Sequence, residues 1–473
     1  MIYPRLLSTI LILLALLSEF PSTLSFTIPT TPQSKCRPKY LGASTSPTPS
    51  PPPPSPAPYY LKKTLQLSLP LLLSSLTDPL LSLTDTYYLS SSPKNLAALG
   101  VCTSIFHLSF NSFKSFSSAT QSLVGSNKGE VELYSCGIAL ITGFIVLTLL
   151  HKFSTPILSL MGLTPSSPIY TPALTYLLIR AYSAPAVLLN SVYEGISRGY
   201  GNTVPSFISS VLSCFINFLL DPLLIFTFSL GIRGAAISTV IGVYSSCILL
   251  TYLLRSKLKP SSSTSSPPKL FILKRLLSAN LSMLLKQTSL LLAWAYSTRR
   301  ASLLAATTSA THQVCLSVWL VFALINEGPS VSIQYLTGGS DFKGLLKFVG
   351  KAILGVSLFS TCFLVLCKGF IVNALTVEAT REMFLRIYPV ITYTQPLITG
   401  TLLLEGVAIG GKRFNTLAVG TILAMVGSVE VIRRCTDLWG IWIYGINALF
   451  LGRLITASIA VGMMWRDDRR EEK

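Results

Sequence analysis

The sequence predicts an all-α polytopic membrane protein with twelve transmembrane helices in two pseudo-symmetric six-helix lobes, and three observations carry that prediction. Half of the 473 residues are hydrophobic and only 12% are charged, too few charges for the water-facing surface of a soluble domain. Apolar runs of about 20 residues, the length a helix needs to cross the hydrocarbon core, recur from Thr64 almost to the C-terminus. Landmarks of the first half also return in the second at near-constant spacing. Lipid admits only helices or closed barrels, because every backbone polar group needs an internal partner. Runs such as 135–150 and 417–431 are continuously apolar rather than alternating, so helices are expected.

The first segments read as an address. Residues 1–25 carry an early Arg5, an apolar run over 11–17 and small residues up to Ser25, the layout of a signal peptide. Residues 26–60 are rich in Ser, Thr and Pro, with Lys35, Arg37 and Lys39 and no acidic residue, a composition that stays extended. Together they resemble the bipartite leader of algae with complex plastids, with Ser25-Phe26 as its Phe-led junction. A plastid membrane is therefore the expected location; an ordinary secretory signal followed by a linker, leading to the plasma membrane or an endomembrane, is the alternative.

Apolar runs read against Gly, Pro and charge punctuation place helices near 64–90, 96–124, 131–152, 171–198, 205–229, 232–254, 270–298, 304–337, 343–369, 381–410, 415–432 and 438–464. The domains that follow are an N-lobe over 61–254, a linker over 255–269, a C-lobe over 270–465 and a charged tail over 466–473. With an even helix count the termini and even-numbered loops share one face, which holds about nineteen Lys and Arg against about ten opposite. Pro185, Glu194-Gly195 and Gly199 recur as Pro396, Glu405-Gly406 and Gly410 at an offset of 211, and Gln121-x-Leu123-x-Gly125 recurs as Gln334-x-Leu336-x-Gly338 at 213. Repeats six helices apart keep one orientation, so the expected symmetry axis lies along the membrane normal, with substrate bound between halves that rock.

Carboxylates at bilayer depth are costly and usually face a cavity. Asp78 and Asp85 lie seven residues apart on one face of the first helix; Asp78, before Pro79, reads as structural, and Asp85-Thr86 as either functional or polar punctuation. Asn217 and Asp221 share a face of the fifth helix, where Pro222 frees the carbonyl of Phe218. With Thr239 these oxygens suit a hard cation or a shared proton. Glu194 and Glu405 either line a cavity or stabilise a bend. Glu327-Gly328-Pro329 is expected to break the eighth helix, toward a cavity or as a kink. Lys114, Lys286 and Arg180 are candidate partners for these acids or for an anionic substrate, snorkelling being the commoner fate of lysine. Gly231, Gly234, Ala235 and Ala236 read as packing residues.

The net charge of +19 sits between apolar runs, the pattern of orienting charges rather than of nucleic-acid binding. Nine scattered cysteines, without a Cys-x-x-Cys pair or His cluster, predict neither metal nor disulfide framework. An intramembrane prenyltransferase needs paired aspartates for Mg²⁺-diphosphate, and Asp467-Asp468 stands only in the tail, so the chain reads as a non-enzyme. A passive channel would leave the buried acids unused.

Leu69-Pro70, Leu83-Thr-Asp85-Thr86, Leu96-Ala-Ala-Leu-Gly100, Gly195-x-x-Arg198-Gly199-x-Gly-Asn202-Thr203-x-x-Pro205, Asn217-x-x-x-Asp221-Pro222, Gly231-Ile-x-Gly-Ala-Ala236, Ala310-Thr-His312-Gln313 and Glu405-Gly406 resemble, in this order, the multidrug and toxic compound extrusion transporters. The resemblance covers roughly residues 60–465 and is nearest the branch of the DNA-damage-inducible F protein and plant organic-anion exporters. It implies two lobes around a central cleft and export of drug-like compounds or organic anions driven by inward H⁺ or Na⁺, with no other cofactor and as a monomer in the bilayer. It also implies an N-lobe cation site on Asp85, Asn217, Asp221 and Thr239, and a second-lobe acid at Glu405. Two departures stand out: the usual acid after the fourth helix is Asn202, and the acid some relatives carry in the seventh helix is absent, Lys286 being the only charged residue between Arg275 and Arg299. A lipid-linked precursor flippase of the same superfamily is the alternative; it would favour a strongly cationic cleft without the Asn/Asp site.

Overall fold

The computed structural model describes residues 56–89, 92–124, 130–161, 163–258, 269–338, 341–376 and 378–471. The signal-like segment, most of the transit-like leader, Gly125 and most of the linker lie outside these residues. Regular structure among the described residues is helical, and the chain is a multi-pass membrane protein.

Each expected helix has a counterpart. The N-lobe comprises α1 (Pro56–Ser75, continued by Thr77–Leu89), α2 (Pro93–Asn111 with Ser115–Leu123), α3 (Glu130–Lys152), α4 (Tyr170–Ala181 with Ala184–Gly199), α5 (Val204–Pro222 with a π-helical turn Leu223–Thr227) and α6 (Ile232–Leu254). The C-lobe comprises α7 (Lys269–Leu304), α8 (Ala306–Thr337), α9 (Phe342–Leu366), α10 (Glu378–Tyr393 with Gln395–Gly410), α11 (Phe414–Arg434) and α12 (Leu438–Gly440, a π-helical segment Ile441–Ile446, and Asn447–Glu471). Among the described residues nine of these are long and apolar enough to span a bilayer unaided, and α4 becomes a tenth when its halves, bent by 49°, count as one. α1 and α10 are likewise assembled from shorter halves, which meet at Leu76 and Thr394.

The breaks in α4 and α10 have one physical cause. Pro185 and Pro396 each stand in the first turn of a second half, where the missing N–H is not needed and the fixed φ suits helix initiation. The repeated prolines are thus repeated helix starts. Proline does not end α8: the helix runs through Pro329 from Ala306 to Thr337, which corrects the expected break at Glu327-Gly328-Pro329 and leaves the kink reading standing. Gly328 instead lets α8 close on α1, because a Cβ there would come 2.9 Å from that of Ser68.

Packing follows the repeat. α1 packs on α5 and α2 on α4; correspondingly α7 packs on α11 and α8 on α10. Gly195 seats on the backbone of Ser117 and Gly406 on that of Ser330, with no room for a side chain at either. Short helices, Ser154–Leu160 and Lys368–Leu375, follow the third helix of each lobe. The lobes meet where α8 lies against α1 and α7 against the second half of α2. There Ala119 and Leu123 join Ile272, Leu276 and Met283 in a shared apolar cluster. The outer faces keep large apolar side chains exposed, among them Ile141, Phe144 and Ile145 of α3, as a lipid-facing surface requires.

Candidate functional site

Each lobe buries a cluster of polar and charged side chains among the described residues. In the N-lobe, α1, α5 and α6 bring Asp85, Asn217, Asp221 and Thr239 together, and all four are buried. The hydrogen-bond network orients the Asn217 amide so that its nitrogen donates to Asp221 Oδ2 at 3.0 Å and its oxygen accepts from Thr239 Oγ1 at 3.2 Å. Ser238 Oγ donates to Asp221 Oδ1. The Asp85 carboxyl lies within hydrogen-bond reach of Asp221, while its Oδ1 is buried without a hydrogen-bond partner. Asp221 closes α5 proper, with Pro222 and the π-helical turn immediately after it. The hydrogen bond from Ser238 ties this carboxyl to α6.

Two acids in contact inside a low-dielectric interior cannot both stay ionised without a compensating positive charge. Arg180 of α4 lies close enough to act electrostatically on both. Its guanidinium donates to Tyr176 Oη at 3.2 Å and stacks over Phe106 at 5.4 Å. The cluster thus gathers carboxyl, amide and hydroxyl oxygens around Asp221, with Asp85 beside it, a donor set suited to a proton or a small hard cation. Among the described residues no group of three His, Cys, Asp or Glu side chains forms a metal site.

The C-lobe cluster has the opposite sign. Glu405 of α10 accepts from Lys286 Nζ of α7 at 2.7 Å. It also accepts from Arg453 of α12, Nε to Oε1 at 2.9 Å and Nη2 to Oε2 at 3.0 Å. All three side chains are buried, and two cations on one anion leave a net charge of +1. Arg453 also lies over the Phe450 ring at 4.8 Å, which joins a cluster of Trp294, Trp319 and Trp442.

Glu194, at the repeat position of Glu405, is bound by Arg198 one turn further on at 3.1 Å. Arg198 is itself buried and donates to Ser117 Oγ at 3.3 Å. Lys114 is exposed at the break within α2, and Glu327 is half-buried on α8. Sequence reasoning missed Ser238, Tyr176 and Arg453. Arg453 had a signal, being the only charged residue between Asp437 and Arg466.

A family model described as MatE matches residues 70–223. Protein DETOXIFICATION 43 of Arabidopsis thaliana is 31% identical over 322 residues, 65% of this chain and 60% of that protein. Protein DETOXIFICATION 45, chloroplastic, of the same plant is 26% identical over 448 residues, covering 86% and 78%. The matched stretch thus spans less than two thirds of the first of these relatives. The fold is similar to that of the crystal structure of MATE in the straight conformation, with a TM-score of 0.72 at 21% identity over 87% of this chain and 96% of that one.

Proposed function

We propose, on the premise that this chain is a member of the multidrug and toxic compound extrusion family, that it exports small organic molecules across a membrane in exchange for H⁺ or Na⁺. The carrying observation is the buried contact between Asp85 and Asp221, ringed by Asn217, Ser238 and Thr239. A proton or cation taken up there relieves the repulsion between two acids. Its release restores that repulsion and weakens the packing of α1 against α5 and α6. Loading at this site therefore biases two arrangements of the lobes, and a difference in cation affinity between them converts a gradient into directed movement.

Among drug-like compounds and organic anions, the net positive trio of Lys286, Glu405 and Arg453 favours the anions. An anionic group approaching this trio meets an excess of buried positive charge whose desolvation is already complete. The lipid-linked precursor reading calls for a strongly cationic cleft and no Asn/Asp site, and the N-lobe acids argue against it. A plastid membrane is proposed as the location, supported by the acid-free leader and by relatives named chloroplastic.

The test is uptake or efflux in vesicles carrying the purified chain, with an imposed ΔpH or ΔNa⁺ and a small panel of organic anions and cations. Gradient-driven movement of at least one anion, lost in Asp221→Asn, is the expected result. Equal transport with and without both gradients would refute the coupling.

A further inference from the structure

Two glutamines tie the lobes together at one end of the molecule. Gln121, near the end of α2, donates from Nε2 to the carbonyl of Val331 on α8 at 2.9 Å. Gln334, near the end of α8, donates from Nε2 to the carbonyl of Ser118 on α2 at 2.8 Å and to Ser122 Oγ at 2.8 Å. The donors are 213 residues apart and so are the carbonyl acceptors. The second contact is therefore the symmetry mate of the first, made in the opposite direction. Both side chains are buried, 5% and 4% exposed.

The end they close is the one that carries the even-numbered loops. Close by, Ser68 of α1 meets Ser332 of α8 at 3.1 Å, and Ser332 also lies 3.3 Å from the Thr64 carbonyl. Lys63 reaches the Gly201 carbonyl at 3.1 Å while its ammonium lies 5.5 Å from the centre of the Tyr335 ring. Gly201 supplies a φ of +69° that a side chain would strain, and the ring of Tyr335 occupies the space a Cβ would need. Hydrogen bonds that cross between the lobes thus gather on this side.

We propose that Gln121 and Gln334 form a two-fold latch that holds the lobes closed toward the side bearing the even-numbered loops, and that breaking both contacts is the step that opens this side. The latch is built to be reversible. Each glutamine supplies an amide N–H to a helical carbonyl that already serves its own helix, so neither acceptor is orphaned when the lobes part. Gln121 Oε1 meanwhile stays buried without a partner in the closed state, which offsets part of what its N–H gains. Because the two contacts are related by the lobe axis, one rocking motion breaks both, and their effects on the opening equilibrium multiply.

The role of the latch in a transport cycle rests on the export reading, but its test does not. In the full chain, with its nine cysteines replaced by alanine or serine, spin labels at Ser256 and Lys347 report the separation of the lobes on this side in lipid vesicles. Gln121→Leu, which loses one hydrogen bond, is expected to raise the ratio of long to short distances about fivefold, Gln334→Leu, which loses two, about 25-fold, and the double variant by about the product, from the usual net worth of a hydrogen bond. Gln→Asn at both sites, which keeps the amide but shortens its reach, is expected to do the same and serves if the leucine variants do not fold. Gln→Glu at both sites should open this side furthest, because an ionised carboxylate faces the carbonyl oxygen with no proton to donate. A distance distribution in the double variants that matches the unsubstituted chain overturns the latch. Loss of transport with unchanged distances overturns it too, whereas shifted distances in a chain that moves no solute would count against the export reading alone.

Discussion

Glu405→Gln is the substitution whose outcome the geometry fixes most tightly. Glu405 accepts three hydrogen bonds from two cations, and the partners are 7% and 2% exposed. Glutamine keeps the volume and one acceptor oxygen, but its NH₂ would face donors, and the cluster goes from +1 to +2 in a dry interior. Removing one partner of a buried pair costs about 3–5 kcal/mol, because the charge left behind has lost its compensation. Taking the C-lobe of about 200 residues as the cooperative unit, that corresponds to a fall in Tm on the order of 10 °C. Lys286→Met in the Glu405→Gln background returns the net charge to +1 and removes the least satisfied donor. The double variant should therefore recover at least half of the loss, a non-additivity that neighbouring charges produce. Thermal unfolding of the parent, Glu405→Gln, Lys286→Met and the double variant in one detergent measures the effect. A Glu405→Gln protein as stable as the parent, or a double variant as unstable as the sum of its singles, would refute the charge-compensated trio.

The same edit at the other lobe should behave in the opposite way. Asp221→Asn keeps most hydrogen bonding and removes a buried charge, so stability should be equal or slightly higher while gradient-driven efflux falls to background; wild-type rates under the same gradient would move the coupling elsewhere. Asp85→Asn is expected to match it, with the double variant little worse than either single one in efflux. Gly195→Ala and Gly406→Ala should each cost about 1–3 kcal/mol by forcing the fourth or tenth helix off its neighbour, and thermal shifts that differ grossly between the two would argue against equivalent seats. Residues 1–58 fused to a fluorescent reporter should direct it to the plastid of a suitable alga, and reporter found only in the medium would dismiss that address.

Twelve helices were legible because lipid removes the alternatives: an apolar run near 20 residues has one way to satisfy its backbone. The N-lobe site was legible for a related reason. Asp85 and Asp221 interrupt apolar runs, and the four-residue spacing of Asn217 and Asp221 places both on one face. The spacing carries no information about which helix that face meets, so Ser238, adjacent to Thr239 on α6, went unnoticed. Arg453 was missed in the same way, because its partner Glu405 stands 48 residues away in sequence and Lys286, which shares that carboxylate, 167 away, and the three meet only through packing of α7, α10 and α12. Pro329 shows the limit of local rules: proline removes one donor, yet α8 continues through it to Thr337. The glutamine repeat was visible at once, yet its meaning was not, since nothing in either motif says that each reaches across to the other.

The equivalence of Glu194 and Glu405 explains how a duplicated scaffold came to hold clusters of opposite sign. Both acids stand one residue before a glycine that seats the helix on its neighbour, so duplication gave each lobe a carboxylate at the same turn. In the C-lobe Lys286 and Arg453 draw it into the interior. An offset of 211–213 maps Lys286 onto Leu73–Ser75 and Arg453 onto Val240–Gly242 in the N-lobe, which are uncharged. In the N-lobe Glu194 pairs with Arg198 on its own helix. The interior of the N-lobe holds Asp85 and Asp221, with Glu132 of α3 bound separately by the Tyr200 hydroxyl at 2.7 Å, and the same offset carries Asp85 onto the uncharged Tyr296–Thr298 of the C-lobe. An anionic group drawn to the C-lobe and a cation drawn to the N-lobe would then occupy different sites and would not compete by contact. Coupling between them would have to run through the relative position of the lobes, and by linkage a saturating anion would change cation affinity by the same factor that the cation changes the anion's. Simple competition between the two at equilibrium is the result that arrangement forbids.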